Sequence, residues 1–493
     1  MSDPRYKDFK YLTFIILGVV QLYPWNSLLS LTQFMTHDIF KDTTFYAKTY
    51  ASTMMTTSTV TSVIFNYYLS NRQVGFTERI RKGILWQLVV FISLTILICI
   101  VSSLKMGLVY FIINFLTFLS SSGTSILQNG TMAWSNIYGS EIYSQAVMFG
   151  QAVAGVVPSL LLFALSFVDV KSIIKDESGV EVEQVVDEEA TSKVGVIVYF
   201  ISTILLCFFA LVMFKISKIG QDNDLKTRDL EVNDDASLLK GAKPAGSGKK
   251  HDSMATVNDE VNGTETHYLR SLDNETNFTP SPVLRSENPE TEVEDADIGE
   301  APAVQIPLSV LYAKVKYNVL SIFISFIVTL LFPVFAGNTF VSKYSMNNSQ
   351  FIPLAFLVWN IGDLYGRYIA KPDNFFTKMF FTKKNPRNLF YYSIVRTLIV
   401  PLFFTCNILN SKLENGSYML DTWYLFLQFC FGLTNGHCVA LSFMTIGDNL
   451  TDVDDNFKAS VGGFSLIFVS AGLTIGSLLS YLGVYVIDKV YGN

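Results

Sequence analysis

Charge is what this 493-residue chain has least of: Asp, Glu, Lys and Arg make up 16% of it, while half of its residues are hydrophobic. Ordinary soluble domains carry about 25% charge, so a water-soluble globule of this length is excluded and the bulk of the chain is read as membrane-embedded. Histidine is scarcer still, with four in all. The five cysteines, Cys99, Cys207, Cys406, Cys430 and Cys438, form no Cys-x-x-Cys pair and all fall in apolar runs. That excludes a disulfide framework and structural zinc, and the thiols are read as small apolar packing residues. No Gly-x-Ser-x-Gly, no His-Glu-x-x-His and no dense carboxylate set is present, so neither an enzyme nor a metal or other cofactor is expected. Lys and Arg are scattered at segment ends rather than clustered on one face, which excludes nucleic acid as a partner.

What is there is a series of long apolar runs. A membrane-crossing helix needs about 20 largely apolar residues. Runs of that kind lie near 11–36, 47–69, 83–103, 107–134, 143–167 and 194–214, then near 309–335, 350–370, 388–410, 422–446 and 459–487. The expected fold is therefore all-α and polytopic, with 11 transmembrane helices in bundles of six (11–214) and five (309–488). Residues 1–10 show no cleavable signal pattern, and the first run is read as the first membrane helix. Between the bundles, 215–308 is rich in Asp, Glu, Asn, Ser, Gly and Pro. Gln221 to Ile306 holds 19 Asp/Glu against 8 Lys/Arg, so a local balance of −11 against the chain's −6 leaves +5 for the rest. Such a segment cannot bury enough apolar surface to order itself. It is read as a disordered cytosolic loop.

Orientation follows from short loops. Arg72, Arg79, Arg81 and Lys82 follow the second run, and Lys371, Lys378, Lys383, Lys384 and Arg387 follow the eighth, whereas the alternate connections hold Lys105, Lys343 and Lys412 alone. The positive-inside rule puts the N-terminus and the 215–308 loop in the cytosol, and the 489–493 tail on the luminal or extracellular side. Two glycosylation sequons, at Asn347 and Asn415, then fall on the non-cytosolic side. Asp234, Leu238 and Leu239 have the spacing of an acidic di-leucine sorting signal for an adaptor, or a chance pattern in an acidic loop.

The informative residues are those that do not belong in lipid. Asp363 and Arg367 of the eighth run are spaced i, i+4 on one helix face, with Asn360 a turn earlier. Ionisable groups at membrane depth face a partner or a cavity, so this pair is read as a ligand site, with helix packing or a snorkelling Arg367 as the alternatives. Tyr23-Pro24-Trp25-Asn26 interrupts the first run: proline removes a backbone hydrogen bond, and Trp25 either stacks on a planar ligand or packs the core. Gln128 must find partners for both halves of a buried amide. It suits a heteroaromatic ring edge or an interhelical bond. Gly150, Gly155, Gly472 and Gly476 are read as close helix contacts and secondarily as sliding, gating faces. Hydroxyls from Thr53 to Ser62 mark a cavity wall or interface in the second run. His437 is read as a packing residue, since no carboxylate is spaced to shuttle with it.

Taken in order, Pro24-Trp25-Asn26, Ile126-Leu127-Gln128, Gly150-Gln151 with Gly155, Asn360 with Asp363-x-x-Gly366-Arg367, Arg396 with Pro401 and Asn407, and Asn435-Gly436 resemble the equilibrative nucleoside transporters across all eleven runs. The resemblance implies a major-facilitator-like fold with one helix missing, alternating access, and nucleosides, with nucleobases as a second class, as substrates. It further implies Trp25 against the base, Gln128 bonding the base, Asp363 and Arg367 bonding ribose hydroxyls, and Leu29, Met54 or Met55 and Asn360 along the cavity. Gln128-Asn129-Gly130 and Ala152 depart from the animal members. The nearest likeness is to the fungal intracellular branch, which implies a vacuolar or lysosome-like membrane, with the plasma membrane as the alternative. Transport is passive or proton-coupled, since no nucleotide-binding cassette is present. A facilitator of another neutral solute such as a sugar, and a non-transporting nucleoside sensor, are the competing readings.

Overall fold

The computed structural model describes residues 8–41, 44–167, 171–175, 181–185, 188–220, 305–370, 377, 386–412, 416–447, 450 and 452–491. Asp234, Leu238 and Leu239, the Asn415 sequon and most of the lysines expected after the eighth run lie outside them.

Helix α1 (Phe9–Phe34) starts where the Asp8 side chain accepts from the Lys10 amide, a cap of the kind that satisfies an otherwise orphan N–H. Thr44 caps α2 (Phe45–Ser70) in the same way through the Ala47 amide. Gly75, at φ 71°, turns the chain into α3 (Phe76–Ile100). The expected fourth and fifth runs join into α4 (Met106–Leu165), whose axis breaks at Gly139, φ 124°, a conformation that only glycine adopts without strain. A short antiparallel hairpin, β1 (Lys171–Lys175) with β2 (Glu181–Val185), is the exception to the helices. It precedes α5 (Glu188–Ser217).

In the second half α6 (Leu308–Thr329) is followed by the short α7 (Phe332–Asn338), with Pro333 in its first turn. A capping box of Asn347 and Gln350 opens α8 (Asn348–Ile369). The expected ninth membrane helix is α-helical only as α9 (Arg387–Val395); from Arg396 to Thr405 it tightens into 3-10 turns around Pro401, which has no amide to donate. Then come α10 (Tyr418–Met444) and α11 (Asp455–Tyr491).

Among the described residues eight helical stretches are long and apolar enough to cross a bilayer. The stretch Met106–Ala164 counts once although it bends at Gly139. Helices α2 and α8 have the length but not the apolarity, because α2 is dense in Ser and Thr and α8 carries Asn360, Asp363 and Arg367. What keeps them below the threshold is the polar lining of the site.

Two apolar cores hold the halves together. One gathers Leu28, Phe34, Tyr50, Phe91 and Phe200, the other Phe335, Phe351, Phe403 and Phe431. Helices α8 and α10 cross in close contact. A Cβ on Gly366 would stand 2.7 Å from the His437 amide nitrogen, one on Gly432 3.0 Å from that of Asp363, and one on Gly436 2.8 Å from the Asp363 carbonyl carbon. Four glycines, Gly362 included, thus let two backbones touch at the level of Asp363. Sequence reading picked other glycines: Gly150 lies on the α1 backbone at Ile15 and Val19, Gly472 on Phe323 and Phe326, and Gly476 on Ile327. Of the cysteines, Cys207, Cys406 and Cys438 are buried, but Cys99 is exposed on the outer face of α3.

Overpacking a tight contact costs about 1–3 kcal/mol, more when backbone must move. Gly436→Val is expected to lower the melting temperature of the detergent-solubilised protein. Gly483→Val, where the nearest atoms are side-chain carbons 3.6 Å away, is expected to leave it unchanged; equal effects in a thermal-shift assay would contradict the backbone-contact account.

Candidate functional site

Between the halves lies a cavity of about 650 Å³, lined by α1, α2, both arms of α4, and α5 on one side and by α6, α7, α8, α10 and α11 on the other. Its volume falls in the range of about 300–1,000 Å³ typical of small-molecule sites.

Trp25 reaches the cavity because its neighbours are committed elsewhere. Tyr23 Oη is 2.9 Å from Ser202 Oγ and Ser27 Oγ 2.7 Å from Thr203 Oγ1, both on α5, while Asn26 Nδ2 donates to the Ala154 carbonyl of α4 at 2.6 Å. A helix turns about 100° per residue. With Tyr23 and Ser27 facing α5 and Asn26 facing α4, Trp25 is left toward the opening. On α2, Met55, Ser58, Thr59 and Ser62 line the space. Met54 does not: it is 1% exposed within the first core, so of the two methionines Met55 alone faces the site. Leu29, Asn360 and Gly155 also line it. Gln128 lies on the wall, half-buried, and its amide has no partner among the described residues, while Asn129 turns away to accept from the Arg79 guanidinium.

The polar end is built on α8. Asp363 and Arg367 are 3% and 6% exposed, with Arg367 Nε 2.8 Å from Asp363 Oδ2. Asn435 Nδ2 of α10 donates to Asp363 Oδ1 at 2.7 Å. Burial of a lone charge is costly, and here the pair and its hydrogen bonds remove that cost. Arg367 does not snorkel. Its Nη1 crosses to the other half and donates to the Met148 carbonyl at 2.8 Å and to Gln151 Oε1 at 3.3 Å, and Gln151 Nε2 donates to Gln21 Oε1 at 2.9 Å. Nη2 takes no partner among the described residues. Asn360 Nδ2 bonds Ser159 Oγ at 2.8 Å, a second bridge between α8 and α4. A carboxylate oxygen has about two acceptor directions, so each oxygen of Asp363 keeps one open.

Most lining residues lie toward the middle of their helices, with Asn66 and Arg367 nearer the ends of α2 and α8. The end with the turns at Gly75 and Gly139 is sealed. Asn66 Nδ2 donates to the Leu466 carbonyl at 3.3 Å, Asn136 Nδ2 to that of Lys458 at 3.1 Å and Ser140 Oγ to that of Met444 at 2.8 Å. Gly462 rests on the Met132 backbone and Gly463 on the Asn129 amide. The cavity is thus closed at one end of the helices.

His437 lies outside the lining, buried beside the Tyr392 hydroxyl at 3.3 Å. Gln21, Asn66, Tyr199, Thr329 and Ser470 line the cavity without having been read from sequence. Gln21 was accessible to that reading, one turn before Trp25 on the same face. Thr329 and Ser470 were not, because hydroxyls on helices commonly bond their own backbone. Among the described residues no group of three His, Cys, Asp or Glu could hold a metal. What the cavity offers is an aromatic wall, a free amide and a charge-balanced polar end.

Residues 113–485 match the profile of the family described as nucleoside transporter. The chain is 38% identical over 493 residues to the nucleoside transporter FUN26 of Saccharomyces cerevisiae, covering 99% of this chain and 86% of that protein. It is 22% identical over 513 residues to equilibrative nucleoside transporter 1 of Homo sapiens, covering 97% of each. Among solved structures, a double-tryptophan mutant of XylE superposes with a TM-score of 0.54 at 12% identity over 98% of this chain and 88% of that one. XylE itself is a proton:xylose symporter of the major facilitator superfamily. At such identity the likeness speaks for the fold alone, and the fold is major-facilitator-like. With most of its length matched by the family profile and a relative of that identity along nearly the whole chain, the protein belongs to the nucleoside transporter family.

Proposed function

We propose that the protein carries nucleosides, and nucleobases as a second class, across a membrane by alternating access. The carrying observation is one cavity lined by Trp25 and Gln128 from the first half of the chain and by the Asp363–Arg367 pair from the second. A nucleoside is neutral, flat at one end and hydroxyl-rich at the other. Its base stacks on Trp25 and meets the Gln128 amide, and its vicinal ribose hydroxyls donate to the open acceptor directions of Asp363 and accept from Nη2 of Arg367. Bonds to charged groups are the stronger kind. Because Arg367 also holds the Met148 carbonyl, the same residue that binds the sugar ties the halves together, and substrate is coupled to the opening of the sealed end. The pairing of Asp363 with Arg367 supports passive transport over proton coupling.

Eleven membrane helices, six and five, with the N-terminus and the 215–308 loop cytosolic, complete the proposal. In that orientation the sealed end is the cytosolic one, as supported by Arg72, Arg79, Arg81 and Lys82 at the α2–α3 turn. Glycosylation at Asn347 and Asn415 would follow. A vacuolar or lysosome-like membrane is proposed from the di-leucine spacing of Asp234, Leu238 and Leu239, read by a sorting adaptor.

In proteoliposomes, uptake of labelled uridine and adenosine is expected to fall at least about tenfold in Asp363→Ala and in Trp25→Ala, the size of losing one charge-assisted or aromatic contact. Unimpaired uptake in both would remove this site. Initial uridine flux is expected to be the same with and without an imposed pH difference; acceleration from the acid side, abolished in Asp363→Asn, would replace passive transport with proton coupling. A Leu238→Ala, Leu239→Ala double variant is expected to move from internal membranes to the cell surface by fluorescence microscopy, and unchanged placement would refute the sorting role.

A further inference from the structure

We infer that Thr329 and Arg396 are positioning residues that fix the polarity of the hydrogen bonds around Asp363, and through it the recognition of the sugar. This rests on the assignment of the sugar to Asp363 and Arg367 above.

A threonine hydroxyl has one proton. Thr329 Oγ1 stands 2.7 Å from the Ser325 carbonyl oxygen and 2.6 Å from Asn435 Oδ1, so two acceptors compete for it. In a helix the usual winner is the carbonyl four residues back. Here that carbonyl is already taken. Arg396, 2% exposed, donates to it through Nη1 at 3.0 Å, and the helical amide of Thr329 occupies its other lone pair. The Thr329 proton therefore goes to Asn435.

That bond decides which way the Asn435 amide faces. With Oδ1 receiving the Thr329 proton, Nδ2 points at Asp363 Oδ1, 2.7 Å away. Without the hydroxyl nothing holds Oδ1 in place. A turned amide would set its oxygen against a carboxylate oxygen, two acceptors with no proton between them. Donation then runs toward Asp363 from Thr329 through Asn435, while the Arg367 cation stands 2.8 Å from the other carboxylate oxygen. Arg396 acts without touching the carboxylate: its cation lies over the Phe431 ring, 5.3 Å from the centroid, and its Nη2 reaches the Phe431 carbonyl at 3.5 Å. Its contribution is to fill the carbonyl that would otherwise capture Thr329.

The test is competition against labelled uridine uptake in proteoliposomes, comparing unlabelled uridine with the dideoxy analogue that lacks both ribose hydroxyls. The ratio of their inhibition constants measures recognition of the hydroxyls, and a general structural disturbance weakens both ligands and leaves it unchanged. Wild type is expected to favour uridine by about tenfold or more, the worth of a hydrogen bond to a charged group. In Thr329→Val the ratio is expected to fall toward one, and in Thr329→Ser, which restores the hydroxyl, to return. Arg396→Gln is expected to lower the ratio as well, with no further fall when combined with Thr329→Val; Arg396→Met, which cannot donate to the Ser325 carbonyl, is read the same way if the Gln variant does not fold. A wild-type ratio that survives in Thr329→Val, or additive losses in the double variant, would overturn the inference. A wild-type ratio near one removes the sugar assignment itself, and this inference with it.

Discussion

The ion pair between Asp363 and Arg367 is the constraint on which the rest of the structure depends. Two charges buried between packed helices are costly unless they are paired and hydrogen-bonded. Asn435 bonds the pair on one side, Met148 and Gln151 bond it on the other, and the capacity left over faces the cavity. Because the partners come from both halves of the chain, the pair does more than neutralise itself. It makes the contact between the halves electrostatic at one point, and that point lies on the cavity wall. A solute that engages Arg367 competes for the donors that hold the closed contact, which is how binding at one residue can be felt along whole helices.

Packing serves this arrangement. The four glycines of α8 and α10 bring backbone against backbone at Asp363, which puts Asn435 within reach of the carboxylate; side chains at those positions would hold the helices too far apart. In membranes, where lipid is as apolar as leucine, such small-residue contacts and interhelical hydrogen bonds carry much of the association. On the opposite wall, Pro24 lies within the continuous helix α1, one residue before Trp25. There the neighbouring Tyr23, Asn26 and Ser27 anchor the helix to α4 and α5, leaving the indole toward the space.

Much of this was legible in the sequence. Asp363, Arg367, Trp25 and Gln128 were found because a polar or kinking residue inside an apolar run needs an explanation, and the structure brings all four to one cavity. The all-helical membrane class was legible because the chain is poor in charge, whereas the major-facilitator-like arrangement was implied only by the family resemblance. What was not legible depends on distances between helices. Met54 and Met55 are adjacent, and which one faces the site is set by the rotation of α2, which its evenly spread hydroxyls do not announce. Gly366 and Gly436 stood out only as members of the resemblance motifs and Gly362 and Gly432 not at all, because their packing role shows only once two helices are known to cross there. Likewise the tightening into 3-10 turns after Arg396, around Pro401, lies inside an apolar run that gives no sign of it.

The central claim is that a nucleoside lies with its base on Trp25 and its sugar at the Asp363–Arg367 pair. A cryo-electron microscopy structure of the full chain with uridine bound tests it most directly. The account predicts density for the base stacked on Trp25 beside Gln128, and both ribose hydroxyls within about 3 Å of Asp363 or Arg367. Uridine bound outside this cavity, or in it with the sugar turned to Gln128 and the base to Asp363, would contradict it.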